Sequence, residues 1–209
     1  MTSPVSTVFP VITMTSRTSL FAPAVVALGL LWASAPALAQ QKLVPAQSSM
    51  AFAIKQMGVP VDGQFKKFDA QVSFDPAKLA TSKIAFTIDM GSATMGAPES
   101  DAEIPKAVWF NTVKFPQATF QSSAIKALGG GKFEVAGQLN IKGNVRDVVV
   151  PVALAQTGAA PNLATTATGA FAIKRLAFKV GEGEWADTSM VADEVQVKFK
   201  LALTGISKL

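Results

Sequence analysis

The sequence predicts an all-β fold, a single antiparallel lipocalin-like barrel of eight strands, and three observations carry that expectation. Apolar residues recur at every second position over most of the chain. The runs are separated by Gly, Pro, Asn and Asp turns, and Pro98-Glu99-Ser100-Asp101 is the stretch that has the marks of a helix start, so a short helical insertion falls between the third and fourth strands. Strands without a covering layer of helices must protect sheet edges as well as sheet faces, which closure into a barrel achieves. A two-sheet sandwich satisfies the same pattern and stays open as the alternative.

The runs can be taken in order. Met50, Phe52 and Ile54 share one face of a first strand that ends at Met57-Gly58-Val59-Pro60. Phe68, Ala70, Val72 and Phe74 alternate in a second, with Phe65 out of phase, so a bulge near Lys66-Lys67 is expected to bend it. Ile84, Phe86 and Ile88 mark a third. Residues 91–116 lose the alternation and end in Val108-Trp109-Phe110, an insertion long enough to form a lid, a plug or a binding loop. A fourth strand resumes around Phe120. Phe133, Val135, Gly137, Leu139 and Ile141 then alternate, Lys142-Gly143-Asn144 turns, and Val148, Val150, Val152 and Leu154 alternate again, which is a long hairpin with its turn set by Gly143 and Asn144. In residues 163–174 the small parity, Ala164, Thr166, Thr168 and Ala170, is assigned inward, where it leaves space. A second irregular segment around Trp185 precedes the last strand, in which Val195, Val197, Phe199, Leu201 and Leu203 face in.

The chain has 209 residues, 49% of them hydrophobic and 16% charged, which bounds it to one globular domain. Residues 18–41 carry no charge, and within them Leu20 to Ala33 is an apolar block too short to span a bilayer comfortably. Arg17 precedes it and Pro36-Ala37-Leu38-Ala39 follows, so residues 1–39 are expected to be an export signal cleaved after Ala39, with Met14 a second candidate start and an uncleaved anchor the alternative. Residues 40–209 then form a single domain of 170 residues, with a net charge of +4 once Arg17 is lost.

The chain contains no His, Cys or Tyr, which removes Ser-His and Cys-His nucleophile arrangements, most transition-metal sites and any disulfide. The carboxylates Glu99, Asp101 and Glu103, and Glu182, Glu184 and Asp187, lie in the two irregular segments, where they are expected to be solvated caps. No catalytic residue, metal or cofactor is therefore assigned. A pI near 9.5 would suit nucleic acid, but the basic residues are spread along strand faces rather than clustered.

Three motifs carry a resemblance. Asp101-Ala102-Glu103 through Trp109-Phe110-Asn111 to Phe115-Pro116-Gln117-Ala118-Thr119-Phe120, then Gly137-Gln138-Leu139-Asn140-Ile141-Lys142-Gly143, then Gly181-Glu182-Gly183-Glu184-Trp185-Ala186-Asp187, resemble in order the signature of the YceI-like proteins. The resemblance covers Leu43 to Leu203 and implies a periplasmic barrel that holds a polyisoprenoid or quinone-type lipid without catalysis. Where many members have a His-Ser pair, this chain has Gln47-Ser48-Ser49, so that headgroup contact is missing. Read from the residues alone, the inward apolar set would look the same in a barrel packed solid and acting through its surface. The resemblance makes it a ligand lining: Phe52, Ile54, Phe68, Phe74, Phe86, Ile88, Phe120, Leu139, Ile141, Val150, Phe199 and Leu201, with Thr168 and Ala170 giving space and Trp109, Phe110 and Trp185 at the mouth. The partner is then an isoprenoid lipid or quinone, with transient membrane contact allowed and the oligomeric state, a homodimer included, left open.

Overall fold

The computed structural model describes residues 41–159 and 163–209, so the expected signal segment lies outside the described residues. Eleven strands form one antiparallel sheet: β1 (Lys42–Leu43), β2 (Ser49–Gln56), β3 (Val59–Phe65), β4 (Phe68–Ser73), β5 (Lys83–Asp89), β6 (Ala93–Thr94), β7 (Gln117–Gly129), β8 (Lys132–Ile141), β9 (Asn144–Thr157), β10 (Ala164–Lys174) and β11 (Glu194–Thr204). Their order across the sheet is β4-β5-β7-β8-β9-β10-β11-β2-β3-β6, with β1 paired to β11. The count exceeds the expected eight because the second run splits in two and two-residue strands, invisible to periodicity, add to the rim. The short helix α1 (Pro98–Glu103) consequently sits between β6 and β7 rather than between third and fourth strands.

The sheet curls into an open half-barrel instead of closing, and the segment joining β3 to β4 controls the curl. β3 pairs with β2, whereas β4, two residues further on, pairs with β5 at the far end of the strand order. The intervening Lys66-Lys67 shifts the parity, so Phe65 on β3 and Phe68 on β4 both turn inward. Ser92 pins the bend: its Oγ accepts from the Lys67 N–H at 3.0 Å and its carbonyl accepts from the Lys66 N–H at 3.1 Å. At the other end of β4 the Gln41 amide imitates a strand, donating to the Phe74 carbonyl and accepting from its N–H, both at 2.7 Å. The backbone groups of Phe74, just past the edge strand, are thereby satisfied without a ladder.

The long hairpin forms as expected, β8 and β9 pairing from Ile141↔Asn144 to Lys132↔Ala153. Its two-residue turn is Lys142-Gly143, with φ of 51° and 74°, so Lys142 and not Asn144 takes the left-handed position beside the glycine. Asn144 serves instead as a strut, its amide donating to the carbonyls of Lys142 and Phe178.

The inward assignment on β10 is corrected. Thr168 and Ala170 are exposed, and Thr165, Ala167, Gly169, Phe171 and Ile173 point in. The register with β11 dictates this, since Ala167↔Leu201, Gly169↔Phe199 and Phe171↔Val197 are directly opposite and opposed residues share a face.

Three inward glycines are each covered by a phenylalanine ring from a neighbouring strand. A Cβ added at Gly63, Gly137 or Gly169 would lie 2.6 Å from a ring atom of Phe52, Phe120 or Phe199 respectively. Each ring lies flat where a side chain would otherwise stand, an arrangement known to compensate the lost packing of a strand glycine. At Gly137 the added atom would also strike the Gln121 carbonyl, which cannot move without breaking the β7–β8 pairing. Gly137→Val is therefore expected to lower the stability measured by urea unfolding by about 1–3 kcal/mol, whereas Ala170→Val on the outer face should stay within about 0.5 kcal/mol.

Candidate functional site

The half-barrel encloses a cavity of about 570 Å³, inside the range of roughly 300–1,000 Å³ found for small-molecule pockets. Buried apolar residues fall into two clusters instead of the single contiguous core usual for one domain. One gathers Met90, Ala118, Leu139, Ile141, Phe178 and Val180. The other, at the opposite end, gathers Phe74, Phe133, Ala167, Leu203 and Ile206, with the Phe74 and Phe133 rings edge-on at 5.3 Å. The solidly packed interior weighed from the sequence is thus not what the structure contains.

The walls come from the inward parity of every long strand. Phe52, Ile54, Phe74, Phe86, Ile88, Phe120, Leu139, Ile141, Val150, Phe199 and Leu201 line the cavity, as do Trp109, Phe110 and Trp185 from the irregular segments. Phe68 does not; on the same inward face of β4, it stacks on Phe86, centroids 5.7 Å apart, outside the cavity lining. Thr168 and Ala170 lie outside for the reason given above, and the small lining residue of β10 is Ala167. Sequence reasoning missed Val197, Phe171 and Ile173 as lining, although the alternation of β11 and its opposition to β10 contained them.

Both irregular segments sit at one end of the sheet. The Gly181 and Glu182 N–H groups donate to the Val108 carbonyl, and the rings of Trp109 and Trp185 pack at 5.6 Å with a 43° tilt. The cavity opens there: Met57 and Met190 line it and are 78% and 41% exposed. The polar lining residues Gln56, Ser100, Glu103 and Arg175 belong to this end as well, while the far end is apolar.

Arg175, only 2% exposed, holds the mouth together. Its Nε donates to the Ala192 carbonyl at 3.0 Å, one terminal nitrogen to Val180 and Gly181 at 2.9 Å each, and the other to Trp185 at 2.6 Å and Val191 at 2.7 Å. All five N–H donors of the guanidinium are used by backbone carbonyls. Burial lowers its pKa below the usual value for arginine and nearby Asp193 partly offsets that, yet an arginine stays protonated in either case. The charge also lies 6.0 Å from the centre of the Trp109 ring, within reach of its π face. Lys142, likewise buried, donates to the Lys179 carbonyl at 2.7 Å and to Glu182 at 3.0 Å, tying the β8–β9 turn to the second segment.

The acidic residues of the insertions do structural work. Asp101 accepts from the Thr94 hydroxyl at 2.5 Å and the Met95 N–H at 2.7 Å, and these two bonds hold its pKa below the ordinary carboxylate value. Asp187 is held low in the same way by the Ser189 hydroxyl and N–H. Ser48, in the Gln47-Ser48-Ser49 stretch, donates to the Val44 carbonyl and accepts from the Ala202 N–H, so it stitches β11 to the turn before β2.

Against this geometry the comparisons are decisive for family. The model of the YceI-like domain matches residues 41–203. The chain belongs to the YceI-like family. A UPF0312 protein of Vibrio cholerae serotype O1 is 32% identical over 106 residues, which are 50% of this chain and 56% of that one; the chain spans about half the length of such curated relatives. The crystal structure of Burkholderia cenocepacia BcnA is similar at 49% identity and a TM-score of 0.72, covering 77% of this chain and 98% of that one. A structure described as a polyisoprenoid binding domain from Saccharophagus degradans shares the fold at 15% identity, with a TM-score of 0.61 and coverage of 79% and 98%.

Two predictions follow from the mouth of this YceI-like domain. Arg175→Met should leave five carbonyls, three of them in buried bonds, without the guanidinium donors and cost at least about 3 kcal/mol in urea unfolding, with Arg175→Lys rescuing only in part because an ammonium has three donors. For Asp101, whose folded pKa is depressed, the hold on Thr94 and Met95 is full above the ordinary carboxylate pKa and is lost as pH falls through the depressed one. Proteolysis within residues 95–106 by an acid-active protease should therefore accelerate only once the pH is below the ordinary carboxylate pKa, and Asp101→Asn should show the faster cleavage already at pH 7.

Proposed function

We propose that this YceI-like protein is a non-catalytic carrier that holds the apolar tail of a polyisoprenoid or prenyl-quinone lipid inside the half-barrel. The observation that carries the reading is the cavity itself: about 570 Å³ of space walled by apolar side chains, open at one end and packed shut at the other. An empty space of that lining does not hold water well, because water there finds no hydrogen-bond partners, and an oily guest removes the unfavourable void. The polyisoprenoid binding named for the Saccharophagus degradans neighbour supports the same class of ligand. A tail of about 40 carbons gains on the order of 12 kcal/mol at roughly 0.3 kcal/mol per atom, before ordering costs.

The reading extends to where the protein works. The uncharged stretch of residues 18–41, with Arg17 before it and Ala37-Leu38-Ala39 within it, supports export to the periplasm. A ligand confined to membranes must be collected from one, and the exposed Met57, Val59 and Met190 around the opening offer an apolar rim for brief contact with a bilayer. The rim supports the opening, rather than an outer strand face, as the surface that meets the lipid.

Uptake by delipidated protein is the test, read by native mass spectrometry with a prenyl quinone. The wild-type protein should bind one molecule. Ala167→Phe, which projects a ring into the cavity from β10, should reduce uptake at least tenfold, while Thr168→Phe, one residue along and facing out, should leave it unchanged. Equal uptake by both variants, or no uptake by the wild type, would sink the carrier reading.

A further inference from the structure

The end of the cavity opposite the mouth is shut by a segment that is not part of the sheet. β11 stops at Thr204, and Gly205, with φ of 76°, turns the chain. The chain then runs from β11 past β10 to β9, where the Gln156 amide clamps it: Nε2 donates to the Ser207 carbonyl at 2.8 Å and Oε1 accepts from the Leu209 N–H at 3.0 Å. The Leu209 side chain rests beside Gly131, in the turn from β7 to β8. Ile206, at the start of this strap, is 4% exposed, lines the cavity and packs with Phe74, Phe133, Ala167 and Leu203.

The inward alternation changes character at the same level. On β9 the apolar series Val150, Val152 and Leu154 lines the cavity, and the next inward position is Gln156. On β10 Ala167 lines it, and the next inward position toward this end is Thr165. Gln156 and Thr165 are opposite each other in the register, two residues or roughly 7 Å beyond Leu154 and Ala167. Gln156 Nε2 also donates to the Thr165 hydroxyl at 3.1 Å, and Thr165 is 1% exposed. A hydrocarbon chain pushed past Ile206 would have to break bonds among Gln156, Thr165 and the strap backbone and leave those groups unpaired, which is unfavourable. Phe133, Ala167 and Leu203 stand on strands that wall the lumen, whereas Ile206 is carried by the strap alone.

We propose that this strap is the stop for the guest's tail and that Ile206 sets the longest prenyl chain the cavity can bury. This rests on the carrier reading and adds a basis for choice among chains of different length. A tail entering at the mouth gains apolar contact with each isoprene unit until its end meets Ile206, and any further unit stays in water outside the mouth. A smaller side chain at position 206 moves the stop toward Gln156 and Thr165. A larger one moves it toward the mouth.

The test measures the affinity of delipidated protein for a series of prenyl quinones that share one head and differ by single isoprene units. For the wild type, affinity should rise about tenfold per five-carbon unit at the rate usual for large ligands, up to a limiting length, and stay within about twofold beyond it. Ile206→Ala should strengthen binding of the first chain past that limit at least about threefold relative to the limiting chain, the worth of the three carbons of room it opens. Ile206→Phe should weaken the limiting chain by a similar factor and leave much shorter chains within about twofold. In the wild-type protein the ¹³C-labelled terminal methyls of the limiting chain should show NOEs to the Ile206 δ1 methyl, a readout that does not depend on a variant folding. An affinity that climbs without limit, variant length profiles parallel to that of the wild type, or terminal methyls whose NOEs go to Met57 or Met190 at the mouth would overturn the assignment while leaving the carrier reading intact. Failure of the wild type to bind any member of the series would overturn both.

Discussion

A sheet curled on itself must fill its lumen with side chains or leave part of it vacant, and three cross-strand pairs of glycine and phenylalanine settle the matter in this protein. Gly63, Gly137 and Gly169 give up their side chains, and Phe52, Phe120 and Phe199 fold over them against the wall. A ring standing upright from an ordinary strand position would cross the lumen and meet its counterpart on the facing strands. Lying down, it presents its face to the cavity and keeps the wall smooth. The vacancy is therefore built by the same residues that make the sequence look rich enough in phenylalanine to be packed solid. Phe52, Phe120 and Phe199 remain part of the apolar lining.

The open end poses the opposite problem. Two irregular segments meet there with no disulfide to fasten them, and their backbone carbonyls converge where water is scarce. A guanidinium answers several of those carbonyls at once, which is why Arg175 is more buried than most of the apolar wall. The arrangement spends every donor of the arginine on structure. The rigidity of the mouth thus comes from this one cluster, in which the buried Trp109 nitrogen is left without a partner.

Much of this was legible in the sequence, for a physical reason. The alternation in Phe133 to Leu154 and in Val195 to Leu203 is strict because one face of each strand is dry and the other wet, and both faces were assigned correctly. Strand β10 failed because Ala164, Thr166, Thr168 and Ala170 and their neighbours Thr165, Ala167 and Gly169 are all small, so hydrophobicity does not separate the parities. Pairing with β11 separates them, and pairing is non-local. The break at Lys66-Lys67 was visible as a phase slip, but that it hands the chain from β2 to β5 was not. The carbonyl cage around Arg175 left no trace in the sequence, since carbonyls belong to every residue and only their convergence in space marks the site. The motifs around Trp109 and Trp185 signalled the mouth before any geometry was known, because aromatic residues in a segment without periodicity need a surface to rest on.

The central claim is that a guest chain lies along the inward faces of the sheet, and contacts between methyl groups and a bound chain test it most directly. In protein labelled at Ile, Leu and Val methyls and loaded with an unlabelled prenyl quinone, intermolecular NOEs should reach Val150, Ile173, Val197 and Leu201, which line the cavity, and should not reach Val145 or Val149, which face solvent on β9. NOEs confined to the outer valines, or none to the lining methyls in a stoichiometric complex, would contradict the account.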